Sequence, residues 1–474
     1  MLNKHPESYG ISSERILAMV KELELFIEDI HSISVVCDDD VIFSKCVPPF
    51  DEACTQMMHS FSKSINSMAV GIAIADGKLN LDDLLLDHFR EYLPEEYDPR
   101  LEKLSVRNML MMAASSCRLS TNLKQAKGSW ITHYLTFKLP HEPGTVFQYD
   151  TGASYVLSSL VTKVTGKTVL QLMKERVFAP MGITDVDWLE SPEGNTVGGW
   201  GLYLNTPDIA KIAILLANRG KWHGQQLVPE DYLREACSKQ IDTPADTQCD
   251  YGYGYQFWMG PENSFCVNGA FGHAVVVNAE KRIAVAMTVG ASDKIGDPNH
   301  VISKIVNRRL IIPTTREPLP ENPDMEEKLN NYLDKLVLPC PEGKASSAQE
   351  SRWIGKRITF TDNSRNISGM ILERQDDNTL KIVLDAYGKT IPLCAGFQSW
   401  KKQEAVFDDE HHHTQALSYA YTEDTALTIR QYCTNLSGYD TWRIFFDGDD
   451  VDVIITTSVM LGGAVPARFT GKIQ

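Results

Sequence analysis

From residue 352 to the end of the chain, apolar and polar residues alternate almost without interruption. The runs are "RITFTD", "SGMILER", "TLKIVLDAYG", "ALSYAYTED", "ALTIRQYC", "WRIFFDGDDVDVIITTSV" and "ARFTGKI". A period of two puts one face of a strand inside and the other outside. It does not suit a helix, whose apolar face recurs every three to four residues. Turn residues such as Asp376-Asp377-Asn378 and Asp447-Gly448-Asp449 separate the runs. About 120 residues of short, regularly spaced strands predict a small antiparallel barrel or sandwich with no reactive constellation. Three adjacent histidines in "EHHHTQ" (410 to 415) cannot all converge on one ion from a strand, so no metal site is expected there.

Before this stretch the pattern is mixed. "PTTREPLPENP" (313 to 323) is too rich in proline for helix or central strand. "DMEEKLNNYLDKLVLP" follows as one linking helix, with Asp324 and Glu327 at capping-box spacing and an apolar stripe of Met325, Leu329, Leu333 and Leu336. "CPEGKASSAQES" is a second linker. The expected divisions are therefore 1–312, a linker with one helix over 313–351, and an all-β domain over 352–474.

Within 1–312, strands stand at both ends and helices lie between. "SISVVCDDDVIFSKCV" reads as two strands around an acidic turn. "FCVNGAFGHAVVVNAEKRIAVAMTVG" reads as a hairpin turning at Asn278 to Arg282. This predicts an α+β fold in which one antiparallel sheet, its strands drawn from both ends of the domain, is flanked by helices.

A formal net charge of −16 argues against nucleic acid or an anionic membrane as partner, because both would repel it. No run approaches the roughly 18 apolar residues that span a bilayer. The start, "MLNKHPESYGISSERILAMV", has no apolar leader, and ten cysteines occur without a C-x-x-C pair. Reduced thiols and a cytoplasmic location are expected.

Two short stretches carry candidate chemistry. In "HSFSKSINSMAVGIAIADGKL" a helix with apolar positions at Phe61, Ile65, Met68, Ala69, Ile72 and Ala73 is stopped at Gly77. Ser60 falls at its start and Lys63 one turn later on the same face. Helix N–H groups there stabilise an oxyanion, and a desolvated lysine can accept the serine proton. A serine cap followed by a solvated lysine fits the same letters, and Ser399-Trp400-Lys401-Lys402 repeats the spacing among the C-terminal strands. In "HEPGTVFQYDTGASYVLSSLVTKVTGKT", Tyr149 stands just ahead of a helix, with Asp150 or Thr151 as cap and Gly166 as stop. Such a tyrosine can relay protons if a nearby cation lowers its pKa. It can equally be an amphipathic residue covering the core.

Taken together, "SFSKS", "AVGIAIADGKLNLDD", "PGTVFQYDTG", "GGWGLYLNTPDIAKIAILLANRGKWHGQQLVPEDY", "DYGYGYQFW" and "GAFGH" resemble the serine β-lactamase and penicillin-binding-protein superfamily. The resemblance is closest to its class C-like branch, which also holds esterases, D-amino-acid peptidases and amide hydrolases. It covers about residues 10 to 312. It implies Ser60 as nucleophile, Lys63 as its activating partner and Tyr149 as general acid/base, with the backbone N–H groups of Ser60 and Ala270 as oxyanion hole. It also implies no metal and no organic cofactor.

Two positions depart from the family's pattern. Tyr149-Asp150-Thr151 stands where the family often has Tyr-x-Asn, and Thr151 lacks the amide that holds a substrate oxygen and the lysine. Val267-Asn268-Gly269 stands where the family usually has Lys-Thr-Gly or His-x-Gly. Valine cannot make a charge-assisted bond to a substrate carboxylate, worth roughly 1.5–3 kcal/mol elsewhere, unless His273 substitutes. Thr151, Asn268, Gly269, His273 and Trp200 are the expected substrate-binding residues, Trp200 together with Tyr203 as possible lining of an acyl pocket. Thr206, Pro207 and Asp208 read as N-cap, N1 and an acidic first turn, with Gly220 as the stop.

The expectation is a serine hydrolase acting on a small-molecule ester or amide, more an esterase or amidase than an efficient β-lactamase. A non-catalytic binding or sensor protein and a D-peptide-processing peptidase are the alternatives. The oligomeric state is not legible.

Overall fold

The computed structural model describes residues 2–114, 123, 126, 128–244, 251–292, 296–407, 413–461, 463 and 465–474. Six strands form one antiparallel sheet: β1 (Ile30–Cys37), β2 (Asp40–Cys46), β3 (Trp258–Met259), β4 (Phe265–Asn268), β5 (Ala274–Asn278) and β6 (Ile283–Val289), in the order β2-β1-β6-β5-β4-β3. The two ends of the domain thus meet where β1 pairs with β6, Val35 opposite Val285. The hairpin turns between Asn278 and Ile283, as the sequence predicts.

Both faces of this sheet are covered, which is why β1, β5 and β6 are buried at every position rather than at alternate ones. On one face, Val275, Val277, Ala284 and Ala286 pack with helices α2 (Ser62–Ala75), α3 (Thr151–Thr165) and α4 (Thr206–Ala217). On the other, Val276, Val285 and Met287 pack with α1 (Ser13–Phe26), α5 (Pro298–Val306) and α6 (Pro323–Asp334). The linking helix α6 is therefore part of this layer, seated through Leu329 and Leu333.

Its cap is not the expected capping box. Asn322 accepts from the Met325 N–H, and Pro323 occupies the first helical position. Helix α4 shows the same displacement. Asn205, not Thr206, caps it by accepting from the Asp208 N–H, and Pro207 sits in its first turn. In both, an asparagine upstream reaches the free N–H groups first.

The C-terminal strands are β7 (Arg357–Phe360), β8 (Ile367–Asp376), β9 (Thr379–Ala386), β10 (Lys389–Phe397), β11 (Lys401–Ala405), β12 (His413–Glu423), β13 (Ala426–Cys433), β14 (Tyr439–Asp447), β15 (Asp450–Thr457) and β16 (Ala467–Ile473). They form a closed barrel, not a sandwich. Nine of them run β10-β9-β8-β7-β16-β15-β14-β13-β12, each antiparallel to the next, and β10 closes on β12 in parallel through Ala395–Leu417 and Phe397–Tyr419. An odd ring of antiparallel neighbours must contain one parallel pair, and this is it. Strand β11 runs antiparallel to the first half of β12, from Lys401 opposite Leu417 to Ala405 opposite His413.

Ser399 lies in the turn before β11, far from any arrangement like that of Ser60. Of the "EHHHTQ" segment, residues 410 to 412 lie outside the described residues. His413 begins β12.

The barrel rests on the sheet domain. Tyr432 donates to buried Asp29 (2.7 Å), Lys402 pairs with Asp51 (2.5 Å), and Val47, Phe50 and Cys54 pack on Leu338, Ala416 and Tyr432. Eight described cysteines are free thiols. Among the described residues no helix is long and apolar enough to cross a membrane.

Candidate active site

Ser60 sits in a 3-10 turn, His59–Phe61, that feeds directly into α2. Helix α2 is buried on nearly every side, so its polar residues all have work to do. Ser62 donates to the His59 carbonyl (2.7 Å) and accepts the Leu202 N–H (3.2 Å), tying the turn to a neighbouring strand. Asn66 donates to the Ser154 carbonyl of α3 (2.8 Å), and Ser67 to the Tyr255 carbonyl (2.7 Å).

Lys63 belongs to this buried set, with 1% of its surface exposed. Its Nζ lies 3.0 Å from Ser60 Oγ and 2.7 Å from the Gly199 carbonyl, to which it donates. Burial lowers its pKa to about 7, with the charge of Asp150 opposing the shift. An amine so placed is substantially neutral near neutral pH and has a lone pair to accept the serine proton.

Tyr149 completes the group. Its ring centre lies 4.9 Å from Lys63 Nζ, and it stacks on Trp258 at 5.7 Å. Burial raises the phenol's pKa, with the Ser60 hydroxyl opposing and the charge of Asp297 adding to the rise. The lowered pKa that a proton-relaying tyrosine beside a cationic lysine would have is not found: burial dominates and the shift is upward. Tyr149 keeps its proton.

Asp150 caps α3, accepting from the Gly152 N–H (2.8 Å) and the Tyr134 hydroxyl (3.3 Å). Thr151 opens the helix, and its side chain packs directly against Gly199. The hold on the lysine that the family's asparagine amide supplies, and that Thr151 cannot, is made here by the Gly199 carbonyl.

Across from Ser60, β4 ends at Asn268 and the turn Ala270–Gly272 follows, packed on the His59–Phe61 turn. Gly269 presses against the Met58 carbonyl with no room for a side chain. Its own N–H donates to the His273 carbonyl (2.6 Å), and its carbonyl accepts from Asn299 Nδ2 (2.8 Å). The turn that begins at Ala270 is thereby held against the His59–Phe61 turn, with Phe271 edge-on to His59 at 5.2 Å. Asn268 is buried with its Oδ1 unpartnered among the described residues.

His273 is wholly buried. Its Nδ1 accepts from the Val289 N–H (3.1 Å), its Nε2 meets Ser437 Oγ (2.9 Å), and burial holds its pKa well below the usual histidine value. It is a neutral ring and brings no cation to a substrate carboxylate.

Trp200 is stacked on Trp130 at 5.9 Å, in the aromatic cluster that also holds Tyr155. It follows Gly199 directly, and its carbonyl accepts from Trp188 Nε1 (2.8 Å). Tyr203 pairs in a short strand with Met57 and Asp187.

Sequence reasoning missed Gly199, Asn299, His59 and Ser437. The glycine pair in "GGWG" hinted at a close backbone approach. "CTNLSGYD", which holds Ser437, carries no signal beyond a turn between strands. Among the described residues no three metal-ligating side chains converge.

A family model described as Beta-lactamase matches residues 32–300. Over 133 residues the chain is 34% identical to a lovastatin esterase of Penicillium rubens, a stretch making up 21% of this chain and 33% of that enzyme. The match thus spans about a third of that curated relative's length. Among solved structures, one similar fold is a Bacillus anthracis protein provisionally described as a 6-aminohexanoate-dimer hydrolase. Its TM-score is 0.52 at 16% identity, covering 67% of this chain and 82% of that one. Another is a penicillin-binding-protein homologue from Caulobacter crescentus, with TM-score 0.50 at 13% identity, covering 63% and 98%.

Proposed function

The chain belongs to the Beta-lactamase family, and from that premise we propose that it is a serine hydrolase that cleaves an ester or simple amide through an acyl-enzyme on Ser60. The observation that carries the reading is the buried Ser60–Lys63 pair at 3.0 Å, with a lysine whose pKa is about 7. A solvated surface lysine near a capping serine would have neither property.

In the first half-reaction Lys63 takes the Ser60 proton as Oγ bonds to the substrate carbonyl carbon. The N–H groups of Ser60 and Ala270 receive the developing oxyanion. When the carbon–oxygen or carbon–nitrogen bond breaks, the Lys63 proton passes through the Tyr149 hydroxyl to the leaving alkoxide or amine. In the second half a water gives its proton back along the same path as its oxygen attacks the acyl carbon. Ser60 regains a proton and the acid leaves. No cofactor enters either half.

Thr151, Asn268 and Gly269 would line the reacting centre. The unpartnered Asn268 Oδ1 suits a donor such as an amide N–H, which keeps amides within the class. A cavity of about 330 Å³ lies between His59 and Phe271 on one side and Leu436, Met460 and Leu461 of the barrel on the other. Its apolar lip suits the hydrocarbon part of an ester. Apolar Val267 and neutral His273 count against substrates that need a cation for a carboxylate, such as β-lactams and D-peptides. Eight free thiols suit a reducing, cytoplasmic setting.

The test is labelling with a fluorophosphonate followed by peptide mapping, together with turnover of p-nitrophenyl esters by wild type and Ser60→Ala. Adduct on Ser60 and turnover abolished in the variant are expected. An adduct elsewhere, or equal turnover in the variant, would sink the reading.

A further inference from the structure

The turn between β13 and β14 of the barrel reaches the segment that carries the nucleophile. Met57 N–H donates to the Asn435 carbonyl (2.9 Å), and Asn435 Nδ2 donates to the Thr55 carbonyl (3.1 Å). Two residues on, Ser437 is buried between the two histidines that flank the oxyanion donors. Its Oγ lies 3.1 Å from His59 Nε2 and 2.9 Å from His273 Nε2, and the two rings stack at 5.6 Å.

The direction of these bonds follows from chemistry. His273 Nδ1 accepts the Val289 N–H, so in the neutral ring Nε2 carries the proton and donates to Ser437 Oγ. The serine's own proton is then available to His59 Nε2, which accepts it when that ring carries its proton on Nδ1. One hydroxyl satisfies a donor on one ring and an acceptor on the other, and no apolar side chain can do both.

Each histidine is one step from an oxyanion donor. His59 precedes Ser60 and sits at φ 49°, a left-handed conformation that costs a non-glycine residue energy and must be held from outside. His273 accepts the Gly269 N–H through its carbonyl, and Gly269 precedes Ala270. The turn is also seated hard. A Cβ on Gly290 would stand 2.0 Å from the Ser437 carbonyl oxygen.

We propose that Ser437 of the C-terminal barrel is a positioning residue for catalysis, whose hydroxyl bridges His59 and His273 and so fixes the spacing of the Ser60 and Ala270 N–H groups. The barrel is then part of the active site and not an appendage. This rests on the reading of Ser60 as nucleophile.

The experiment compares wild type with Ser437→Ala, which removes the bridge, and with Ser437→Cys, which keeps side-chain volume but offers only a weak donor and acceptor. Ser437→Thr, which keeps the hydroxyl, is the rescue. For each, the melting temperature is measured, then the rate of fluorophosphonate labelling and kcat and KM for p-nitrophenyl acetate, well below that temperature. Expected for Ser437→Ala and Ser437→Cys is a fall in kcat and labelling rate of about ten- to a hundredfold, as when an oxyanion donor is misplaced, with KM within about twofold. The apparent pKa of the acid limb should stay unchanged, because Lys63 is untouched. Ser437→Thr should recover most of the rate. If Ser437→Ala fails to fold, the Cys and Thr variants carry the comparison.

A lower melting temperature with wild-type kcat would overturn the proposal and leave a merely structural serine. Failure of wild type to label on Ser60 would overturn the hydrolase reading and this proposal with it. Labelling of wild type with equal rates in the Ser437 variants would overturn this proposal alone.

Discussion

Lys63 Nζ donates to the Gly199 carbonyl at 2.7 Å while standing 3.0 Å from Ser60 Oγ, so one buried amine is fixed by a backbone group and aimed at the Ser60 hydroxyl. A carbonyl can only accept, whereas an amide side chain can also donate. The Gly199 bond therefore orients the amine without competing for its lone pair.

That amine sets the pH dependence. Its pKa of about 7 means that the neutral, proton-accepting form grows as pH rises through 7. kcat/KM for a p-nitrophenyl ester should rise with an apparent pKa near 7 and reach a plateau. Tyr149 retains its proton far into the alkaline range, so a basic limb from this phenol is not expected below about pH 10. Tyr149→Phe should lower kcat about a hundredfold or more while leaving the acid limb in place.

The same burial costs stability. In the folded chain Lys63 loses its proton near pH 7, and in the unfolded chain near its ordinary 10.5. Between those values the unfolded state binds a proton that the native state has shed, so the wild type gains stability as pH rises. Lys63→Met has no such dependence. Its advantage over wild type in urea unfolding should be largest below pH 7 and shrink by up to about 1.4 kcal/mol per pH unit from 7 to 10.5. A constant difference across that range would contradict the burial argument. The variant should be inactive throughout.

Gly199 has no space for a side chain. A Cβ there would stand 2.7 Å from Thr151 Cγ2 and 3.0 Å from the Thr151 carbonyl oxygen. Gly199→Ala should push its carbonyl away from Lys63, lower kcat at least tenfold and cost about 1–3 kcal/mol of stability. Gly199→Ala combined with Thr151→Ser, which removes the clashing methyl, should recover part of both. Calorimetry and steady-state kinetics on the pair check this.

The barrel's lip should govern chain length. Leu461 is 69% exposed, so Leu461→Asp leaves folding unharmed. Against p-nitrophenyl octanoate kcat/KM should fall about five- to tenfold, the loss of one leucine's apolar contact, with the acetate unaffected. Equal effects on both esters would remove the cavity from the substrate's path.

Legibility followed the range of the interactions. Ser60, Lys63 and Tyr149 could be singled out because each stands beside a helix start, but spacing alone fitted a capping serine and a core-covering tyrosine equally well, and their roles came from the family resemblance. The strands at both ends of 1–312 announced one antiparallel sheet drawn from both ends of the domain, as β1 paired with β6 shows. The caps of α4 and α6 were misplaced by one and two residues, since Asn205 and Asn322 compete with Thr206 and Asp324 for the same N–H groups and the winner depends on the chain's entry angle. The rise in the Tyr149 pKa was not legible either, because it comes from neighbours such as Trp258, more than a hundred residues away.

The sequence by itself determined the two architectures, through the change from mixed to alternating periodicity, and the helix starts at which Ser60, Lys63 and Tyr149 stand, through local spacing. Tertiary structure alone decided that nine strands close into a barrel, through the one parallel pair between β10 and β12. It alone decided that Gly199 holds the lysine, that His273 is a neutral buried ring, and that Ser437 reaches His59 across 378 residues. The physical reason is common to all four. Each depends on which groups lose their water together, and that is set by packing between distant segments and not by the order of residues along one of them.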